Sequence, residues 1–248
     1  MKGIWTLLIL AILFSGCDYT DALLKDGKMI RKEVLLGSIE RIEIDTSVEL
    51  VLTNGRDSVV VVEGLDFLVP RLVLNQEGDV LKIESEGLIG FREKQLPTVT
   101  VGVSGLKRIT SNFPSRITNT DTLKLSSLSV VINGRGTFTQ CDLLVDAGTL
   151  SLAAYGSNVG NHIFRGKADK LIVNAEGLST VDALQLKAKT VRMVQKSVNS
   201  SYVNAVEALS VDIFSSGNVY YIGNPDTTLK IGDPLYEVEL GTLIKLTE

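Results

Sequence analysis

The sequence predicts an all-β protein: antiparallel hairpin strands followed by a parallel β-helix, or solenoid, in the C-terminal half. Three observations carry this. Apolar residues alternate with polar ones over many short segments. No segment shows a capped 3.6-residue apolar stripe. Short apolar pulses return at regular intervals, separated by clusters of Asn, Ser and Gly. The chain has 248 residues, 44% of them hydrophobic, which suits one or two domains with a buried core and excludes a disordered chain. Its 25 Lys and Arg against 29 Asp and Glu leave no basic surplus for a phosphate backbone, so nucleic acid is not an expected partner.

The N-terminus is an address. Lys2 is a short basic region, and Ile4 to Phe14 is an apolar run broken only by Thr6. That run is too short to span a bilayer and has the length of a signal-peptide core. Leu13-Phe14-Ser15-Gly16-Cys17 then resembles a bacterial lipobox, with Phe14 at a place where Leu is commoner. The expectation is a signal peptide over residues 1–16 and a lipidated Cys17. A tether follows over 17–33, then a single domain over 34–248. The lipid would hold the protein to a membrane without a transmembrane helix. Cleavage removes Lys2 and Trp5, the only Trp. It leaves Cys141 as an unpaired thiol beside a strand pattern, where a quiet, partly buried Cys is expected.

The hairpins come next. Ile42 to Leu50 largely alternates apolar with acidic residues, a strand with one wet face. Asn54-Gly55 stands between Leu50-Val51-Leu52 and Val59 to Val62, a strong hairpin signal because both residues tolerate positive φ. A second hairpin runs from Arg71–Leu74 through a longer loop, Asn75 to Asp79, into Val80–Glu84. Val99, Val101 and Val103 alternate again and stop at Ser104-Gly105.

The solenoid follows. Apolar pulses start at Leu123, Leu143, Leu171, Val191 and Leu209, with spacings of 20, 28, 20 and 18 residues. Each period holds two or three short strands with tight corners, and stacked rungs repeat about every 4.8 Å. The longer spacing predicts a loop inserted around Ser157 to Lys167. An antiparallel sandwich is the rival reading, since sandwiches also carry regular turn signals. The first half is expected to cap one end of the solenoid. The tail, from Leu229-Lys230-Ile231 to Val238-Glu239-Leu240, is expected to cap the other.

Little in the inventory suits catalysis. His162, the only His, reads as an exposed residue of the inserted loop. Cys141 lies about one rung upstream, but neither residue sits in a nucleophile motif, and together they cannot supply a zinc site. No P-loop, dinucleotide fingerprint or calcium repeat is present, so no cofactor, metal or catalytic residue is expected. Asp142, Asp146, Asp182 and Asp212 could converge as a pair of catalytic carboxylates, although Asp is common at strand ends and corners. Tyr155, Tyr202, Tyr220 and Tyr221 remain as aromatic residues, with Tyr220 and Tyr221 pointing to opposite faces if they share a strand. Lys187, Lys189, Arg192 and Lys196 read as a solvated face balancing nearby acids.

Gly37 to Ile44, the turn at Asn54-Gly55 and Asp79 to Ile83 resemble the opening of the "head GIN domain" family. That family comprises adhesin-like domains of unknown function frequent in Bacteroidetes lipoproteins. Ser216-Gly217-Asn218-Val219-Tyr220-Tyr221-Ile222-Gly223-Asn224-Pro225 is similar to its characteristic close. The resemblance covers about residues 34–225. Members usually repeat Ser-Gly-type corners, and Ser111-Asn112-Phe113-Pro114 and Lys196-Ser197-Val198-Asn199 depart from them, as in a divergent member. The resemblance implies a right-handed β-helix-like fold and a place in the cell envelope, and it implies no activity. Asp57-Ser58-Val59, Asp121-Thr122-Leu123 and Asp226-Thr227-Thr228 resemble a short O-glycosylation acceptor pattern of the same group of bacteria. Asp18 and Asp21 do not form the dense acidic run of surface-exported lipoproteins, so the periplasmic face stays open beside the outer one.

The favoured expectation is a lipid-anchored, non-enzymatic solenoid of the cell envelope, structural or adhesive, meeting a glycan or protein through one sheet face and its polar corners. The alternative is a carbohydrate-active β-helix enzyme, a glycan lyase or hydrolase that uses its Asp carboxylates.

Overall fold

Alternation puts every second residue of a strand indoors, and here each indoor residue rests on one a rung away. A computed structural model describes residues 27–55, 59–90, 95–136, 138–233 and 237–247. The early strands are β1 (Met29–Leu35), β2 (Arg41–Ile44), β3 (Glu49–Thr53), β4 (Val59–Leu65), β5 (Leu72–Glu77) and β6 (Val80–Ser85), then β7 (Thr98–Gly102), β8 (Arg108–Ser111) and β9 (Arg116–Asn119). The long strands are β10 (Leu123–Ile132), β11 (Gln140–Ala154), β12 (Asn161–Gly177), β13 (Thr180–Ser197) and β14 (Ser201–Ile213). β15 (Val219–Ile222), β16 (Asp226–Ile231) and β17 (Leu243–Lys245) close the chain. All are hydrogen-bonded into one continuous sheet wound as a β-solenoid.

Each long strand turns corners and serves more than one face. On the first face, residues 129–132, 150–154, 171–175, 191–195 and 209–213 stack in parallel between β8 and β16. On the second, residues 140–142, 161–163, 181–183 and 201–203 stack between β9 and the pair β15 and β17. The third face carries residues 123–125, 145–147, 166–168 and 187–188.

The inward residues form columns. Leu128, Leu150, Leu171, Val191 and Leu209 share one register position, and Val130, Leu152, Val173, Met193 and Val211 share the next. All ten are buried. This register corrects the rung count read from the sequence. Leu171 stacks on Leu150, not on Leu143, whose own partner is Phe164 on another face. The 28-residue spacing therefore compares two different faces. The expected insertion over 157–167 is mostly strand, since β12 begins at Asn161.

In the first half, parallel and antiparallel pairing mix. β5 and β6 form the expected antiparallel hairpin, with a tighter turn than expected: Glu77 faces Val80, and Gly78 adopts φ +63°. The Asn54-Gly55 segment turns the chain but makes no hairpin. β3 has parallel neighbours on both edges, β7 and β9, while β4 pairs with β1 and β7. Both edges of β3 are thus filled by rungs, and Asn54 instead donates from Nδ2 to the Thr122 carbonyl at 2.9 Å. β2 likewise lies in parallel between β6 and β8. The antiparallel strands β1, β4 and β5 lie outside these first parallel pairs and flank the N-terminal end of the solenoid. β1 begins inside the segment read as a tether. The signal segment and Cys17 lie outside the described residues, as do Asp57 and Ser58.

The tail is a further rung, not a lid. β16 continues β14 and β17 continues β15, both in parallel. Leu229 and Ile231, which continue the core columns of Val211 and Ile213, are consequently 44% and 49% exposed.

One glycine is fixed by geometry. Gly166 adopts φ +101°, and a Cβ there would lie 2.2 Å from the Val145 carbonyl oxygen. It sits where the register between β12 and β13 shifts. Leu171→Ala is expected to lower the unfolding free energy by ~2–5 kcal/mol in urea titrations, because its column neighbours cannot close the gap. Gly166→Ala should lower it by at least ~1–3 kcal/mol, while Lys124→Ala, on the surface, should stay within ~0.5 kcal/mol.

Candidate binding surface

Several polar corner residues face inward, while others, such as Arg135, Ser157 and Ser216, are exposed. Ser111, Ser115 and Thr139 are buried and share hydrogen bonds, with Ser111 Oγ 2.8 Å from Ser115 Oγ and 3.1 Å from Thr139 Oγ1. Further along the solenoid, Ser197 donates to the Ser179 carbonyl at 2.8 Å. Ser201 donates to Gln195 Oε1 at 3.0 Å, and Gln195 donates to the Asn199 carbonyl at 2.6 Å. These buried groups bond one another and the carbonyls where the chain turns, so they are part of the fold and are not displayed to a partner.

His162 is not in a loop. It lies in β12, fully buried, with Cys141 on one adjacent rung and Val181 on the other. Among the described residues neither ring nitrogen has a hydrogen-bond partner. Gly160 leaves room for the ring: a Cβ there would lie 2.9 Å from Nε2. Burial lowers the imidazole pKa to about 4 and pushes the Cys141 thiol well above its usual range. The solenoid thus brings together the only thiol and the only imidazole of the domain. Both are uncharged and sealed from substrate, which makes a nucleophile–base pair unworkable.

The four Asp carboxylates are dispersed. Asp142 is bonded to Arg165 at 2.5 Å, Asp146 to Lys167 at 3.0 Å, and Asp212 to Arg192. Asp182 accepts from the Leu184 amide at 3.1 Å. Asp142 and Asp182 share a column on the second face but are separated by the Ile163 rung, while Asp146 and Asp212 lie on the third and first faces. Tyr202 and Tyr220 stack on each other across rungs, with centroids 5.1 Å apart and planes at 12°. Each ring covers one face of the other, so the pair does not form a side-by-side aromatic platform for a sugar. Tyr221, on the opposite side of β15, packs against the core.

The expected basic cluster divides between faces. Arg192 pairs with Asp212, Lys196 with Glu176 at 3.3 Å, and Lys189 with Asp169 at 2.6 Å. Lys187 instead joins an outward column on the third face: Lys124, Asp146, Lys167, Lys187 and Asn204 follow one another rung by rung. Beside this column the chain turns a corner through Gly148, Asp169, Lys189 and the pair Val206 and Glu207. Column and corner enclose a groove of about 710 Å³ that crosses the rungs. Its floor is Leu125, Ala147 and Ala168, which are nearly buried. Sequence reading missed this groove because Lys124, Asp146, Lys167 and Lys187 are far apart along the chain and meet only through the register. Among the described residues no group of three or more His, Cys, Asp and Glu gathers as a metal site.

Two outcomes follow for the buried pair. An unfolded His takes up its proton near pH 6.5, the folded one near 4. Stability is therefore full above about pH 6.5 and falls as the pH drops towards 4, by up to roughly 3 kcal/mol. His162→Leu should flatten that part of a stability–pH curve measured by chemical denaturation. Iodoacetamide should label Cys141 only in denaturant, as read by peptide mass spectrometry.

The fold has solved counterparts. A "putative adhesin" from Bacteroides fragilis superposes with a TM-score of 0.71 at 16% identity, covering 88% of this chain and 97% of that one. A "putative adhesin" from Parabacteroides merdae and a "putative lipid binding protein" from Parabacteroides distasonis each give 0.64 at 17% identity, covering 90% and 98%. At these identities the likeness is one of fold. No curated protein is significantly similar to the chain. Residues 39–225 match the family described as "Putative auto-transporter adhesin, head GIN domain", and the chain belongs to that family.

Proposed function

We propose that the protein is a non-enzymatic, adhesin-like binding rod, held at the cell envelope by a lipid on Cys17. The observation that carries this reading is the division of chemistry across the sheet. The one thiol and the one imidazole of the domain, Cys141 and His162, are sealed inside, and the four Asp carboxylates that could serve an enzyme are dispersed over three faces. The outward columns offer charged and polar side chains in fixed rows. Such rows can grip a glycan or protein by shape and charge, with no covalent step. Family membership and the adhesin-like folds of its structural counterparts point the same way. The lipobox-like segment ending at Cys17 supports the anchor, since the lipid would hold the rod at a membrane while its faces stay free.

Three measurements test the reading. Cys17→Ala should move the protein from the membrane fraction to the soluble one, and intact mass should show a lipid on the unaltered chain alone. Protease shaving of intact cells should release the domain. Retention would make adhesion to outside partners untenable. Incubation with a panel of polysaccharides should leave them uncut. Turnover abolished by Asp142→Asn or Asp182→Asn would establish the enzyme reading instead.

A further inference from the structure

We infer that the groove on the third face is a binding site for an acidic polysaccharide, one whose carboxylates or sulfates are spaced by hydroxyl-bearing sugars. This inference rests on the adhesin-like reading and names the ligand class of its surface. The groove presents four cations, Lys124, Lys167, Lys187 and Lys189, and three carboxylates, Asp146, Asp169 and Glu207. It is locally basic on a chain whose net charge is −4. Asp146 holds Lys167 and Asp169 holds Lys189. Among the described residues Lys124 and Lys187 have no ion-pair partner, and both are exposed. They sit three rungs apart in one column, about 14 Å at the ~4.8 Å spacing of paired strands. Lys187 is also directly beside Lys167, a like-charge contact on adjacent rungs that favours an anion between them.

The mixed signs select the ligand. A polymer with a charge on every unit would be opposed by the three carboxylates. A sugar chain carrying acids at intervals meets lysines with its acids and offers hydroxyl donors to Asp146, Asp169 and Glu207. An extended acidic peptide is a poorer fit, because peptides dock on sheets through a free strand edge. Here the third-face segments of β11, β12 and β13 pair on both edges. The edge of Leu123–Leu125 in β10, which has no paired strand among the described residues, runs along a rung and not across the rungs as the groove does. Leu125, Ala147 and Ala168 at the bottom of the groove belong to the buried core, so its recognition rests on the charged and polar side chains above them.

Affinity electrophoresis through gels containing hyaluronan, whose uronates alternate with neutral sugars, tests this, with dextran and poly-glutamate gels in parallel. The chain should be retarded by hyaluronan at low salt, less so at 0.5 M salt, and not by dextran. Lys124→Gln with Lys187→Gln should weaken the retardation about tenfold, since two exposed charge contacts at ~0.7 kcal/mol each sum to the ~1.4 kcal/mol of a tenfold ratio. Both positions are exposed, so circular dichroism of the double variant should match the parent. Lys32→Gln with Lys230→Gln removes the same charge elsewhere and should change nothing. Equal retardation of parent and groove variant, or equal loss in the control pair, overturns the groove assignment while leaving adhesion by another face intact. Equal retardation by poly-glutamate makes the groove a general acidic-polymer site and overturns the glycan assignment. No retardation by hyaluronan also overturns it, and leaves the adhesin-like reading to another face of the solenoid.

Discussion

Register between rungs is the constraint on which everything else depends. In a parallel ladder each strand offers its amides and carbonyls to both neighbours, so a slip of one residue would turn every inward side chain outward. Leu150 over Leu171 over Val191 is one expression of this, and the run of Lys124, Asp146, Lys167 and Lys187 is another. The same bonds that align the core align the surface. A row of charges on the outside is a by-product of packing on the inside, which is how residues over sixty positions apart come to line one groove.

Corners follow from the same rule. A strand that turns must leave the ladder briefly, and its freed backbone groups need partners in a buried setting. Ser197 and Gln195 supply them, and Ser201 holds the Gln195 amide oxygen, which is why Gln195 is tolerated fully buried between Ala175 and Ile213 in a column that also carries the buried Ser111. Gly166 answers the opposite need, a rung that approaches its neighbour too closely for any side chain. Polar and small residues are therefore as much a part of the interior as Leu and Val.

The all-β class, the solenoid, the β5–β6 hairpin and the family were all legible in the sequence, because alternation and turn chemistry are local signals. Which strand lies beside which was less so. Asn54-Gly55 carries hairpin chemistry, yet the partner of β3 is decided by β7 and β9, which lie 45 or more residues further on. His162 looked exposed for a related reason. Its neighbours Asn161 and Gly160 are turn formers, and only the pairing of β12 with β11 and β13 shows that the ring points into the core. The pulse at Leu150-Ser151-Leu152 passed unnoticed because it follows Leu143-Leu144-Val145 so closely, although the two belong to different faces.

The open last rung has a consequence for how such a protein can change. Because β16 and β17 repeat the cross-section instead of closing it, the fold does not dictate its own length. A duplicated coil inserted before β16 would meet the same columns above and below. The rod would grow by one step while every existing face kept its pattern. Length and surface are then separate variables: a lineage can extend its reach without redesigning its grip.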